Sequence, residues 1–257
     1  MSLAGRIGLA TLALTMAVPV VAETPRLVLD TAQRTIDIRS GFTGVDLMVF
    51  GAIVYPGGTA PKKAPDLAIV VEGPLQSISM REKEKLAGLI WVNGERNDFR
   101  SVPGYYGIAS SRPLEQLIDR KTADIYQLGL DHIYLSPTGQ IETRRIRRFQ
   151  DGLIEKQRRK QLYVQQPGTV EISQKILYRT RMPLPADVPV GRYRVSAYLI
   201  DQGRVMTVEE AEVVIDKTGF ERLVTIFATQ YSVLYGLLAV AVSLGLGWLG
   251  GTVLRKD

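Results

Sequence analysis

The sequence predicts a mainly β protein: an immunoglobulin-like β-sandwich with a helical insertion and further C-terminal strands, followed by one C-terminal transmembrane helix. Three observations lead to this fold class. Short apolar segments recur about every 8 to 12 residues between turn residues, which is typical of sandwiches. Residues 112–166 change to helical periodicity. Residues 233–253, VLYGLLAVAVSLGLGWLGGTV, form an uncharged run that is long enough to cross a bilayer.

These changes of pattern divide the chain into five parts. They are a signal peptide (1–22), an N-terminal β-sandwich domain (23–111), the helical insertion (112–166), C-terminal strands or a small second sandwich (167–217), and the transmembrane helix with a short tail (218–257).

The N-terminus has the three regions of a secretory signal peptide. Arg6 precedes an apolar run over residues 7–18, and Val20 and Ala22 place small residues at the −3 and −1 positions of a cleavage site. We expect cleavage after Ala22, because the apolar run is short for a membrane span, although an uncleaved N-terminal anchor remains the alternative. Export puts the body in the periplasm. Arg255 and Lys256, after the C-terminal helix, then lie on the cytoplasmic side of the inner membrane.

Short strands dominate the first hundred residues. We expect them at residues 26–30, 35–39, 45–55, 66–73, 76–82, 89–93 and 105–109. The strand over 45–55 has Leu47 and Val49 on one face and Met48 and Phe50 on the other. It is therefore expected to be a central strand that is covered on both faces.

Helical signals follow from residue 112. Ser111 can cap a helix, Pro113 suits a first turn, and a second short helix is expected to end near Gly129. A longer helix is expected over residues 140–164.

Strands return after Pro167-Gly168. They are expected at residues 169–173 and 175–181, followed by a loop over 183–187 and a hairpin over 191–215 that turns at Gln202-Gly203. These strands form a second small sandwich or complete the first one, and we favour the second sandwich.

Composition excludes several kinds of chemistry. The chain has no cysteine and one histidine, His132, so thiol catalysis, Cys-ligated zinc and His-rich metal sites are excluded. His132 is interpreted as a surface or capping residue. Glu209, Glu210 and Glu212 are interpreted as a solvent-facing strand edge. Walker, GxSxG and HExxH motifs do not occur, so we expect a protein that is not an enzyme and needs no metal or cofactor.

The net charge of +6 is a local property. Residues 139–181 carry eleven Lys or Arg and four Asp or Glu, and most of the basic residues lie on the predicted long helix. Basic charge confined to one exported segment argues against nucleic acid as a partner.

Several strings resemble one family. They are TIDIRSGFTGVDLMVFGAI (35–53), GLIWVNGE (88–95), YYGIASSRPL (105–114), PLPADVPVGRYRVSAYLIDQG (183–203) and LYGLLAVAVSLGLGWLGG (234–251). Together they resemble the alphaproteobacterial transmembrane protein family Alph_Pro_TM over essentially the whole mature chain. The resemblance implies no biochemical activity and no active-site residues. It does imply a sulfite-exporter-like permease as a candidate partner.

Two features are candidates for interaction. The membrane helix has small residues every fourth position, which let another helix approach closely: Ala239, Ser243, Gly247 and Gly251. The long helix has a basic docking face for anionic lipid headgroups or an acidic partner, formed by Arg144, Arg145, Arg147, Arg148, Lys156, Arg158, Arg159 and Lys160.

These features predict a non-enzymatic, membrane-anchored periplasmic accessory or assembly protein, with a transporter complex as a candidate partner. The expected partners are inner-membrane lipid and another membrane protein or a second copy of the chain. The alternative is a periplasmic binding module for a small anionic solute, in which Arg179 and Arg181 join the basic helix around the ligand.

Overall fold

The structure is a computed structural model of the 257-residue chain. It describes residues 24–39, 41–86, 89–138, 143–217 and 228–253. The signal peptide expected over residues 1–22 and the tail at 254–257 lie outside these described residues.

Twelve strands and four α-helices follow one another along the described parts of the chain. They are β1 (Arg26–Thr31), β2 (Thr35–Ile38), β3 (Gly44–Val54), β4 (Asp66–Glu72), β5 (Leu75–Leu86), β6 (Ile90–Pro103), β7 (Tyr106–Ser110), α1 (Leu114–Leu117), α2 (Arg120–Tyr126), α3 (Thr143–Arg159), β8 (Tyr163–Pro167), β9 (Glu171–Ser173), β10 (Leu177–Pro185), β11 (Gly191–Asp201), β12 (Arg204–Lys217) and α4 (Ser232–Val253).

The strands form two large sheets and one ribbon. The four-stranded sheet has the order β1-β3-β10-β9, and the six-stranded sheet has the order β2-β12-β11-β4-β7-β8. β5 and β6 pair with each other in a two-stranded ribbon. The pairs β2–β12 and β7–β8 are parallel, and the other pairs are antiparallel. The strands of residues 167–217 therefore hydrogen-bond to N-terminal strands in both large sheets, since β10 pairs with β3 and β11 pairs with β4.

The main core lies between the two large sheets. Strand β11 turns one face into this core. Tyr193, Val195 and Leu199 lie at alternate positions on that face and are buried, as the strand period of two predicts. Strand β4 is buried at every position from Leu67 to Val71. The α1–α2 segment packs on the outer side of the six-stranded sheet, where Tyr126 of α2 contacts Tyr198, the β11 residue that pairs with Ala68 of β4.

The contact of this segment with the sheet is aromatic and hydrogen-bonded. Tyr126 of α2 meets Tyr198 of β11 edge-on, with ring centroids 5.9 Å apart. The hydroxyl of Tyr106 on β7 donates to the Gln127 carbonyl at 2.7 Å and accepts from the Gly129 N–H at 3.0 Å.

Strand β3 departs from the expectation of two covered faces. Leu47, Val49 and Ile53 are buried between the sheets, but Phe50 and Val54 on the other face are 40% and 49% exposed. No described element packs on that outer face of the four-stranded sheet. The apolar residues there form a surface instead of a second core.

Two boundaries also differ from the sequence predictions. The helix expected to reach residue 164 ends at Arg159, because Gln161 adopts a left-handed backbone (φ 58°) and Tyr163 then begins β8 beside β7. The loop expected at 183–187 is strand as far as Pro185, because this segment continues its pairing with the start of β3.

Buried tyrosines tie neighbouring elements together through backbone carbonyls. Each hydroxyl donates one hydrogen bond: Tyr105 to Pro183 (2.8 Å), Tyr106 to Gln127 (2.7 Å), Tyr163 to Pro103 (2.9 Å), Tyr178 to Val28 (2.9 Å) and Tyr193 to Pro189 (2.6 Å). Burial is the first cause that raises the pKa of all five phenols above the ordinary value of about 10.

These phenols make folding sensitive to alkaline pH. Because their pKa is higher in the folded than in the unfolded chain, the stabilisation is complete below about pH 10 and is lost as pH rises further. We expect tyrosinate absorbance from the buried rings to appear together with loss of the β circular-dichroism signal, in one cooperative step. Titration of all the tyrosines before any loss of β structure would contradict this prediction.

Candidate functional site

The ribbon and the basic helix together form a separate substructure, which we call the arm (residues 75–103 and 143–159). α3 packs along β5, and a Cβ on Gly152 would lie 3.9 Å from the Met80 Cε. Arg148 of α3 forms an ion pair with Glu82 of β5 at 3.2 Å. The sequence predicts the helix but gives no sign that it lies against this ribbon.

The core of the protein extends into the base of the arm, where a short strand-like bridge also joins β6. Phe99 and Val102 of β6 are fully buried, as is Leu153 of α3. The segment before α3 pairs with β6, since the Thr138 N–H donates to the Asp98 carbonyl at 2.7 Å and the Arg100 N–H to the Ser136 carbonyl at 3.2 Å. These bonds fix α3 beside the ribbon.

The basic docking face is exposed where the structure describes it. The exposed residues are Arg145, Arg147, Arg148, Lys156, Arg158, Arg159 and Lys160. Arg144 lies in the first turn of α3, and its side chain is outside the described residues. The inner face contains Phe149, Leu153 and Gln157, spaced four residues apart as a packed helix stripe requires.

Only part of this positive charge is neutralised within the described residues. Arg148 pairs with Glu82, and Arg159 pairs with Glu155 at 2.9 Å on the same helix. Arg147, Lys156 and Lys160 have no acidic partner in the part of the chain that the structure describes. The arm therefore presents uncompensated cations to solvent.

The expected membrane span is a regular helix. Residues 232–249 of α4 have a mean hydropathy of 1.9, and among the described residues this is the one helix long and apolar enough to cross a membrane. Ala239, Ser243 and Gly247 follow one another at four-residue intervals, and the Ser243 hydroxyl donates to the Ala239 carbonyl at 2.8 Å. Gly251 continues this spacing in the backbone of the helix. The small-residue face is therefore present on α4, but no described residue of the chain packs against it.

The structure separates Arg179 and Arg181 from the basic helix. Both line a pocket of about 440 Å³ with Thr169 and Thr180, and no α3 residue contributes to it. Arg179 is paired with Glu171 at 2.7 Å, so Arg181 is the cation that the pocket offers. The larger pocket of about 580 Å³ contains Arg158 of α3.

His132 has an acidic neighbour that its sequence position did not reveal. Its Nδ1 lies 2.5 Å from Asp124 Oδ1, with Asp124 on the last turns of α2. The imidazole borders a pocket of about 460 Å³ whose described lining provides no serine, threonine or cysteine nucleophile. His132 is the last residue of a short 3₁₀ helix (Leu130–His132), and its side chain is partly buried.

The acidic residues of β12 are exposed. Arg192 pairs with Glu212 at 3.6 Å. Glu72 of β4 lies on the same outer face, where burial first raises its pKa, with Arg194 opposing and Glu210 adding to the rise. The carboxylates of Glu72 and Glu212 therefore belong to a charged sheet surface. The described residues contain no group of acids or histidines that could hold a metal ion.

A further surface, which we call the apolar sheet face, covers the outside of the four-stranded sheet. It contains Val28 (53% exposed), Phe50, Val54 and Leu177 (55% exposed). Ala52 pairs with Val28 on one side and Leu177 on the other, so the apolar residues are contiguous across three strands. Met48, Phe50 and Val54 lie at alternate positions of β3, and this pattern indicated an apolar outer face. The sequence could not show that no other element packs on it.

A body of packed β-sheets followed by one apolar helix of bilayer length defines a membrane-anchored β protein. The chain belongs to the family described as "Putative transmembrane protein (Alph_Pro_TM)", whose match covers residues 26–256. No curated protein and no solved structure matches the chain. The resemblance read from the five sequence strings is thereby confirmed.

Proposed function

We propose that the protein is a non-enzymatic accessory subunit that docks another integral membrane protein, such as a transporter, through the apolar sheet face. In this proposal α4 lies in the inner membrane, the body is periplasmic and the C-terminus is cytoplasmic. The observation that carries the proposal is the contiguous apolar surface on β1, β3 and β10.

The physical argument is the cost of leaving this face in water. Burial of apolar surface stabilises a complex by about 25 cal/mol per Å², and soluble monomers rarely expose large contiguous apolar patches. Arg26, Arg179 and Arg181 border the patch, and Asp30 lies opposite Phe50 in the sheet. An apolar centre with a charged rim is the usual anatomy of a protein interface.

A membrane protein suits this surface because α4 confines both partners to the same bilayer. Confinement raises the effective concentration of one partner near the other, so a modest patch can hold a complex. The small-residue face of α4 (Ala239, Ser243, Gly247 and Gly251) would add a second contact within the membrane, where close helix approach drives association.

We further propose that the body is an immunoglobulin-like sandwich. The sheet orders β1-β3-β10-β9 and β2-β12-β11-β4-β7 correspond to A-B-E-D and A′-G-F-C-C′, with β2 parallel to β12. Tyr193 near the start of β11 also supports this, because its hydroxyl donates to the Pro189 carbonyl four residues upstream, as in a tyrosine corner. Sandwiches of this type commonly serve recognition, which agrees with an accessory role but does not specify it.

The docking proposal is tested by charge substitutions on the apolar sheet face. The full-length Phe50→Lys and Leu177→Lys proteins should lose a membrane protein that co-purifies with the parent chain in mild detergent. Met206→Lys on β12 is the matched control, because Met206 is also 40% exposed but lies on the six-stranded sheet. If all three variants retain the same partner at the same yield, the sheet face is not the docking surface.

A photo-crosslinking residue at position 50 gives an independent reading of the same surface. It should capture the partner in native membranes, whereas the same residue at position 210, on the outside of the other sheet, should not. Absence of any captured protein at position 50 would argue against an accessory subunit.

The anionic-solute module is the second candidate, and Arg181 in the pocket with Thr169 and Thr180 is the observation that favours it. Saturable binding of sulfate by the full-length protein, lost in Arg181→Gln, would support this function in place of docking.

A further inference from the structure

We propose that the arm lies on the anionic surface of the same membrane that holds α4, with its basic residues on lipid headgroups and Leu89, at the end of the ribbon, in the interface. This is a contact with lipid. It uses a different surface from the protein docking proposed for the apolar sheet face.

The position of the arm is the first argument. β12 ends at Lys217, and near that end Ile215 pairs with Gly191 of β11. Slightly further along β11, Arg194 pairs with Glu72, the last residue of β4. The ribbon of the arm occupies the chain between the end of β4 and the start of β7, so its base lies at the end of the sheet from which the chain leaves for α4.

The dimensions place the end of the ribbon within reach of the bilayer. Residues 218–231 connect β12 to α4, and a chain of that length spans at most about 50 Å. β5 has 12 residues and is therefore about 40 Å long. A ribbon of this length that starts beside the tether is long enough to reach the bilayer surface.

Charge is the second argument. Residues 75–103 and 143–159 together carry twelve Lys or Arg and six Asp or Glu, whereas the rest of the chain carries twenty of each. The whole formal excess of +6 is therefore in the arm. Basic segments immediately next to a membrane anchor are attracted by anionic lipid, and the attraction decays within a Debye length of about 8 Å.

Leu89, at the end of the ribbon, is the third argument. It is 87% exposed, and Lys85 near the end of β5 is exposed as well. An exposed aliphatic residue with basic residues nearby is the composition found at the membrane–water interface. An exposed leucine at this site is shielded from water if the end of the ribbon enters the headgroup layer.

The chain has no cysteine, so a single introduced thiol reports on one position. Leu89→Cys and, as the control, Asp201→Cys would be labelled with an environment-sensitive fluorophore in the full-length protein. Asp201 lies at the opposite end of the six-stranded sheet, next to the β11–β12 turn. Both proteins would be reconstituted into phosphatidylcholine vesicles with and without phosphatidylglycerol, and quenching by aqueous iodide would be measured.

In vesicles that contain phosphatidylglycerol, quenching at position 89 should fall about threefold relative to detergent solution, while quenching at position 201 stays unchanged. Replacing Arg147, Lys156 and Lys160 with glutamine should remove most of this protection. The same change at Lys62, Lys63 and Arg204, which lie away from the arm, should leave it intact. Equal quenching at positions 89 and 201 in anionic vesicles, or protection that survives replacement of Arg147, Lys156 and Lys160, would overturn the proposal.

Discussion

Replacing Gly51 with alanine is expected to prevent stable closure of the four-stranded sheet. A Cβ at this position would lie 2.0 Å from the Val28 carbonyl oxygen and 2.4 Å from the Tyr178 hydroxyl. The Tyr178 ring crosses Gly51 to donate its hydrogen bond to that same carbonyl. Neither neighbour can move without breaking the β1–β3–β10 pairing, so the loss of stability should be about 3 kcal/mol.

The measurement is the urea midpoint of the full-length protein in mild detergent, followed by circular dichroism. Gly152→Ala is the matched control, because its Cβ would meet only Met80 at 3.9 Å and it lies inside α3. The control should gain about 0.5 to 1 kcal/mol, since alanine is a better helix former than glycine. Similar midpoints for the two variants would mean that the close packing at Gly51 is not as tight as the structure describes.

The second large effect is expected in the centre of α4. Val240→Arg combined with Leu244→Arg places two guanidinium groups near the middle of the apolar helix. Each arginine at the centre of a span costs about 2.5 to 3.5 kcal/mol of insertion free energy. We expect the parent protein in the carbonate-resistant membrane fraction and the double variant outside it.

Val240→Leu combined with Leu244→Ile keeps the hydropathy of the helix and should remain in the membrane fraction. Carbonate-resistant association of the double arginine variant would show that some other part of the chain provides the anchor. In that case the inferences that place the body next to a bilayer would lose their basis.

Local patterns predicted most strands because burial on one face produces a period of two. The β11–β12 hairpin follows this rule, with Tyr193 and Val213 buried as expected. The same rule could not separate β3 from β4, since both are apolar on both faces. The difference arises from a layer that the strand itself does not encode: the α1–α2 segment packs beside β4 on the outer side of its sheet, whereas Phe50 and Val54 on the outside of β3 stay exposed.

For the candidate site too, local sequence pattern did not show which elements pack together, as the arm illustrates. Residues 81–85 read REKEK, which has no apolar alternation, so the sequence predicted a strand that stops at residue 82. The ladder continues to Leu86 because β6 provides partners for Lys83 to Leu86, including Trp91 opposite Lys85. The basic helix was predicted from its composition. Its position beside this ribbon depends on contacts such as Arg148 with Glu82, which join residues distant in sequence.

The interleaving of the first and last strands has a consequence for biosynthesis. β1 and β3 need β10, and β2 needs the end of β12, which is completed only at Lys217. Such a high contact order delays folding until almost all of the β body has been made. The sheet edges of the nascent chain therefore stay unpaired until β12 is complete, when the 14 residues of 218–231 still separate it from the start of α4.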